Sequence, residues 1–228
     1  SLVGEKCPID RAQLLDTQMD VTDESKHNQI KANDNENLYD NVSFVIFDTE
    51  TTGISKNDVI IQMCFVMYDK DGESIDVYNR YWKKPCNVTI NSRAQKTHKI
   101  SSMVLAKNGY DVKPELENII KTFELFKKKN IPVVAHNVAF DNRLLSQTCT
   151  HHQISWPFEK QDFFCTMKNA RYHVNAKDVN GNSKAPSNTE LYRFCKGKDP
   201  DRDLLHDALV DCQVTSIGFL YGKQHGWW

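Results

Sequence analysis

From residue 42 onward the chain alternates short apolar runs with polar breaks. In VSFVIFDTETTGIS (42–55) the residues Val42 to Phe47 are β-branched or aromatic, and the pattern predicts a buried strand over 42–48. DVIIQMCFVMYD (58–69) and SIDVYNRYW (74–82) predict two more strands, set off by the breaks SKNDV and DKDG. Then the period changes. Leu116, Ile119, Ile120, Phe123 and Phe126 recur at helical spacing and predict a helix over 114–129. IPVVAHN (131–137) has the makeup of a buried strand, AFDNRLLSQ of the helix after it, and LLHDALVDCQVTSIGFLYG (204–222) of a closing helix. Three strands followed by alternating helix and strand imply an α/β fold, a mixed central β-sheet flanked by helices. Before residue 42 the pattern fades. TDESKHNQIKANDNENLYDN (22–41) has no period and is expected to be a polar N-terminal arm or linker. PIDRAQLLDTQM (8–19) predicts only a short helix with a thin apolar face. The expected division is an arm over 1–41 and a folded domain over 42–228.

Composition narrows the class. The 228 residues suffice for one large α/β core. The 29 Lys and Arg nearly cancel the 30 Asp and Glu, so bulk charge does not announce a polyanionic partner, and any phosphate contact must come from local patches. Seven cysteines without a CxxC pair fit a reducing, intracellular setting, cytoplasmic or nuclear, better than a disulfide scaffold. VIIQMCFVMY is about half the ~20 residues a membrane helix needs, so no membrane partner is expected. The first residue is Ser rather than Met, as in a processed product or a piece of a longer chain.

Carboxylates next to apolar elements carry the chemistry. Asp48 and Glu50 stand at alternate positions of the first strand and point to one face. Keeping both ionised there is expensive unless a cation lies between them. Asp141 follows the strand IPVVAHN by one turn, and Asp211 lies in the closing helix, five residues after His206. Each alone has an ordinary explanation: a turn residue, a partner for a helix dipole, a solvated helix position. Together, four carboxylates and a histidine have the makeup of a site for two hard divalent ions, with the histidine left to take a proton from water.

These segments resemble a known family. FDTETTG is similar to the first motif of the DEDDh 3′–5′ exonucleases, AHNVAFD (135–141) to the second, and HDALVD (206–211), an H-x-A-x-x-D pattern, to the third. They occur in family order, and DVIIQMCFV, AQKTHKIS and FFCTMKNAR extend the likeness over about 42–221. The resemblance implies a ribonuclease H-like exonuclease fold for 42–228. It also implies two Mg²⁺ or Mn²⁺ ions held by Asp48, Glu50, Asp141 and Asp211, with His206 as general base. The substrate it implies is a nucleic acid with a free 3′ end, DNA favoured over RNA, shortened to 5′-mononucleotides. A polymerase or other protein partner is a further expectation. Thr51, Thr52 and Ile54 fall where the family cradles the terminal nucleotide, Ile54 packing on its base. His98 and Asn137 are further substrate-binding candidates.

Neighbouring features are weighed alongside. Gly53 suits a turn with positive φ or a close approach of substrate. His136 is expected to be structural. Gln62 stands where some relatives have Glu, so one outer carboxylate is missing. Cys149, His151, His152 and Cys165 fit no closed zinc spacing and are set aside. HVNAKDVNGNSKAPSN (173–188) is expected to form a flexible border to the substrate groove, with Trp156, Phe158, Phe163 and Phe164 available to stack bases. Three alternatives compete. An exoribonuclease would use the same site on RNA. A phosphatase with an aspartyl nucleophile would need a second Asp two residues on, where Glu50 stands, and leaves HDALVD without a role. A binding module with a dead site would have lost a ligand, and none of the five is missing.

Overall fold

A three-stranded meander forms half of the sheet in the computed structural model, which describes residues 39–228. Strands β1 (Phe44–Thr51), β2 (Ile60–Tyr68) and β3 (Ser74–Tyr81) pair antiparallel in sequence. The short strands β4 (Val133–Ala135) and β5 (Phe164–Cys165) add parallel on the other side of β1, giving the order β3-β2-β1-β4-β5. The mixed sheet follows the expected architecture. Every residue of β2 is buried, which is why its sequence is a continuous apolar run rather than an alternation.

Alternation along β1 divides the core. Val45 and Phe47 face a cluster with Met63, Phe65, Leu116, Phe123, Leu144 and Leu145. Phe44 and Ile46 face a second cluster with Cys64, Val66, Ala208, Cys212 and Phe219. Helices α3 (Val112–Lys128) and α4 (Val138–His151) cover the first face, and α7 (Ala208–Gln224) the second. In α3 the buried Leu116, Ile119, Phe123 and Phe126 form the stripe read from the sequence. The small helices α1 (Ser92–His98) and α2 (Ser102–Asn108) pack Ile100 and Leu105 on Ile61. Between α4 and α7 lie α5 (Thr166–Ala170) and α6 (Asn188–Lys196).

Several expectations shift. The first strand runs from Phe44 to Thr51 rather than over 42–48, and holds both Asp48 and Glu50 within it. The closing helix begins at Ala208, not 204, because Asp207 caps it by accepting the Leu209 N–H, and His206 sits outside it at φ 66. Tyr39 is buried edge-on against Phe126 and joins the core, while Asp40 pairs with Lys129 at the surface. The predicted helix over 8–19 lies outside the described residues. Within 173–188 a bridge joins Lys177 to Ser183, and Asp178 accepts the N–H groups of Asn180 and Asn182, so part of that loop is a tight hairpin. The aromatic residues offered for stacking are core instead: Phe158 and Phe163 are buried around Phe123, Trp156 packs beside them, and Phe164 lies against Phe219. Their apolar burial outweighed any use as an exposed platform.

Candidate active site

The C-terminal half of β1 continues the two-faced pattern with different chemistry. Asp48 and Glu50 extend the Phe44–Ile46 face toward the start of α7, where Asp211 lies in the first turn. The three carboxylates each present an oxygen within 4.8 Å of the others, all partly buried. Thr49 occupies the opposite face and donates a 2.8 Å hydrogen bond to the buried carboxylate of Asp141, which α4 brings from that side. Asp141 therefore stands outside the group of three, although its charge still acts on Asp48. A bulge between Glu50 and Thr51 ends the regular β1–β2 register at this point.

Burial and mutual repulsion dominate the electrostatics. Asp48 is raised well above the usual carboxylate range by burial, then by Asp141, Asp211 and Glu50. Glu50 rises to about 9 through burial, then through Asp211, Asp207 and Asp141. Burial lifts Asp141 to about 7 against the Thr49 bond, and Asp211 to about 6 against the nearby His206. Carboxyls this close resist ionising together, and a hard cation removes that resistance. The donor set of hard oxygens suits Mg²⁺ or Mn²⁺.

His206 is exposed, and its backbone N–H donates to Asp211 at 3.1 Å. The backbone of this non-glycine residue is held at φ 66, just ahead of the helix rather than within it. The next residue is one that the sequence pattern did not single out. Asp207 caps α7 and also accepts from the Gln62 side-chain amide at 3.1 Å, while that amide reaches Asn79 at 3.1 Å. Gln62 stands opposite Glu50 in the sheet, and its Oε1 is buried with no hydrogen-bond partner. Asp207 thus places a carboxylate beside the Gln62 side chain. An Asp just ahead of a helical run is the N-cap pattern that would have revealed it.

The substrate-binding candidates divide. Ile54 is 77% exposed, so it does not seal the core. Thr51 and Thr52 are buried, their hydroxyls bonded to the Gly53 carbonyl and to Asp58. Gly53 does not have the positive φ that one reading of it expected, and a Cβ there would lie 2.6 Å from the Asp58 carboxylate. The His98 ring is buried, with Nε2 3.2 Å from the Thr51 carbonyl oxygen and Nδ1 accepting from Ile100 N–H, so it braces the loop. Asn137 caps α4 without a side-chain cap bond. His136 is buried between Thr166 and the Pro186 carbonyl, in the structural role expected of it. Cys149 is buried in the core. A cavity of ≈ 480 Å³ beside the β1–β2 loop, lined by residues such as Lys56, Asp58, Asn87 and Gln147, includes none of Asp48, Glu50, Asp141 and Asp211.

This arrangement can be set beside known proteins. The family model described as an exonuclease, RNase T, matches residues 45–217. The chain belongs to the RNase T exonuclease family, the DEDDh-type 3′–5′ exonucleases. Within this family it is 28% identical over 188 residues to a DNA polymerase III of PolC type from Oceanobacillus iheyensis, covering 82% of this chain and 12% of that protein. A PolC-type polymerase from Clostridium perfringens is 32% identical over 114 residues, 49% of this chain and 7% of the relative. The chain thus spans about an eighth or less of the curated relatives it matches. The exonuclease fold is also that of E. coli exonuclease I in complex with a dA16 oligonucleotide, with TM-score 0.61 and 17% identity over 79% of this chain and 40% of that one. A 3′-exonuclease studied for 3′-end recognition of a histone mRNA stem-loop superposes with TM-score 0.62 and 15% identity, over 81% of this chain and 65% of its own.

Proposed function

We propose that this exonuclease removes nucleotides one at a time from the 3′ end of a nucleic-acid strand, with DNA favoured over RNA. The observation that carries the reading is the cluster of Asp48, Glu50 and Asp211 within 4.8 Å, with the backbone of His206 hydrogen-bonded to Asp211. Asp48, Glu50 and Asp211 would hold Mg²⁺ or Mn²⁺ from the α7 face, and Asp141 would complete a two-ion site from the α4 face. Two such ions supply charge stabilisation for the attacking and leaving oxygens of an in-line phosphoryl substitution. His206 takes the proton of the attacking water, and it is exposed to solvent beside Asp211. Ile54 packs on the terminal base, for which its exposure leaves it available. Thr51, Thr52 and His98 fix the loop that carries it, and Asn137 is available to the scissile phosphate.

DNA is favoured because the curated relatives are DNA polymerases, and their names also support a polymerase partner. RNA is the second reading, supported by the likeness to the 3′-exonuclease of the histone mRNA stem-loop. The six free thiols among the described residues suit a reducing intracellular compartment, and none of the described helices is long and apolar enough to cross a membrane. The test is digestion of 5′-labelled single-stranded DNA, duplex DNA and RNA with Mg²⁺, Mn²⁺ or excess chelator. The expected result is metal-dependent shortening, fastest on DNA. Full hydrolysis in excess chelator would sink the metal-dependent reading.

A further inference from the structure

Charge is distributed very unevenly beside this site. From Val77 to Tyr110 the chain carries seven Lys and Arg and no Asp or Glu, within a protein whose net charge is −1. Two of these cations are matched from outside the segment: Arg80 pairs with Glu115, and Lys83 with Asp111. Arg93, Lys96 and Lys99 are exposed and make no ion pair among the described residues. Elsewhere Lys127, Lys129, Lys184, Arg193 and Arg202 have carboxylate partners while others such as Lys56 and Lys168 have none among the described residues, so what sets this segment apart is its freedom from acidic residues.

Position makes the excess useful. The segment is anchored to the end of β1, because Asn91 N–H donates to the Thr52 carbonyl at 2.7 Å and His98 Nε2 meets the Thr51 carbonyl oxygen at 3.2 Å. Thr51 follows Glu50 directly. With His98 turned inward, the helical period of α1 sends Arg93 and Lys96, three residues apart, together to the opposite, outward side. Lys99 follows at the left-handed C-cap. A charge run is ordinarily a solvated face, but an acid-free one moored beside a carboxylate cluster does something more. A polyanion approaching those carboxylates is repelled, and a cationic surface alongside offsets the repulsion.

We infer that α1 is the surface on which the strand upstream of the 3′ end lies, its phosphates held by Arg93, Lys96 and Lys99. The inference rests on the proposed exonuclease reading for its orientation. Such contacts are independent of base sequence and weaken with salt as counterions are released.

The test uses two probes. Binding of a fluorescent thymidine homopolymer of about 20 nucleotides is followed by anisotropy across a salt series in chelator, which prevents digestion. Hydrolysis of the p-nitrophenyl ester of thymidine 5′-monophosphate with Mn²⁺ reads the carboxylate site without any upstream strand. In Arg93→Glu/Lys96→Glu/Lys99→Glu the strand should bind at least about 10-fold more weakly, with a salt slope shallower by about two, as three lost contacts on a single strand imply. The Gln-substituted triple variant should show the same shallower slope with a smaller loss. Ester hydrolysis should stay at the wild-type rate in both, which also shows that they fold. Wild-type affinity and slope in the triple variants would overturn the inference, as would an equal loss per charge in Lys121→Glu/Lys128→Glu on α3. If the wild type failed to hydrolyse the ester, the proposed activity would fall, while the anisotropy series would still decide the surface.

Discussion

At the scale of single residues, the site depends on which oxygen faces which neighbour. His206 and Asp211 differ in what they contribute despite their shared hydrogen bond. His206→Ala should lower the turnover rate about 10²–10⁴-fold while leaving calorimetric Mn²⁺ binding near wild type, the usual worth of a general base. Asp211→Ala should instead lose metal occupancy, and equal binding in the two variants would mean that the division of roles is wrong. Gln62 provides a second case. Its amide donates to Asp207 at 3.1 Å, so Gln62→Glu sets an acceptor against an acceptor in a buried position. A loss of about 1–3 kcal/mol in denaturant unfolding is expected, the cost of a buried polar group left unmatched. Asp48, Glu50, Asp141 and Asp211 stood out in the sequence only jointly, because each alone has an ordinary explanation and it is their recurrence in three motifs in family order that marks them. Asp207 did not, since its work depends on a partner 145 residues away.

At the scale of elements, the sheet and its long helices were legible because apolar periodicity is a direct record of burial. What the pattern missed was short or capped. β5 has two residues and α1 seven, too few to show a period. The start of α7 was set by an Asp207 side-chain bond rather than by hydrophobicity, which moved His206 off the helix. The aromatic residues after α4 could not be assigned to groove or core by type alone; the Phe123 ring decides the matter by gathering Phe47, Phe65, Phe158 and Phe163 around it. Phe123→Ala should therefore cost about 3–5 kcal/mol in chemical unfolding. His136 joins β4 to α5 and to Pro186, and burial depresses it to about 4. Its contribution is present above the ordinary histidine value near 6.5 and is lost as pH falls toward about 4. Acid unfolding over that window, weakened in His136→Gln, is the expected observation.

At the scale of the whole molecule, near-neutral net charge conceals a separation: buried carboxylates gather at the end of β1, and a cationic segment lies beside them. Composition alone averaged this away. Carboxyls raised as Glu50 is, to about 9, favour the folded state while protonated, and that stabilisation is lost as pH rises through the folded values. His136 is neutral in both states above pH 7, so the alkaline side reports the cluster together with the thiols of Cys149, Cys195 and Cys212, which burial also raises, and only the cluster's share responds to Mg²⁺. In chelator the melting temperature should fall between pH 7 and about 9, and Mg²⁺ should restore it most at the alkaline end. A flat chelator profile would mean that the carboxylates are not held together as described. The central claim, hydrolysis confined to a free 3′ end, is tested most directly by comparing three single strands in Mg²⁺. These are a linear strand with a 3′-hydroxyl, the same strand ending in a 3′-phosphate, and a covalently closed circle. The account predicts stepwise loss of 5′-mononucleotides from the first, a block at the second and an intact third, whereas a circle cut as fast as the linear strand would contradict it.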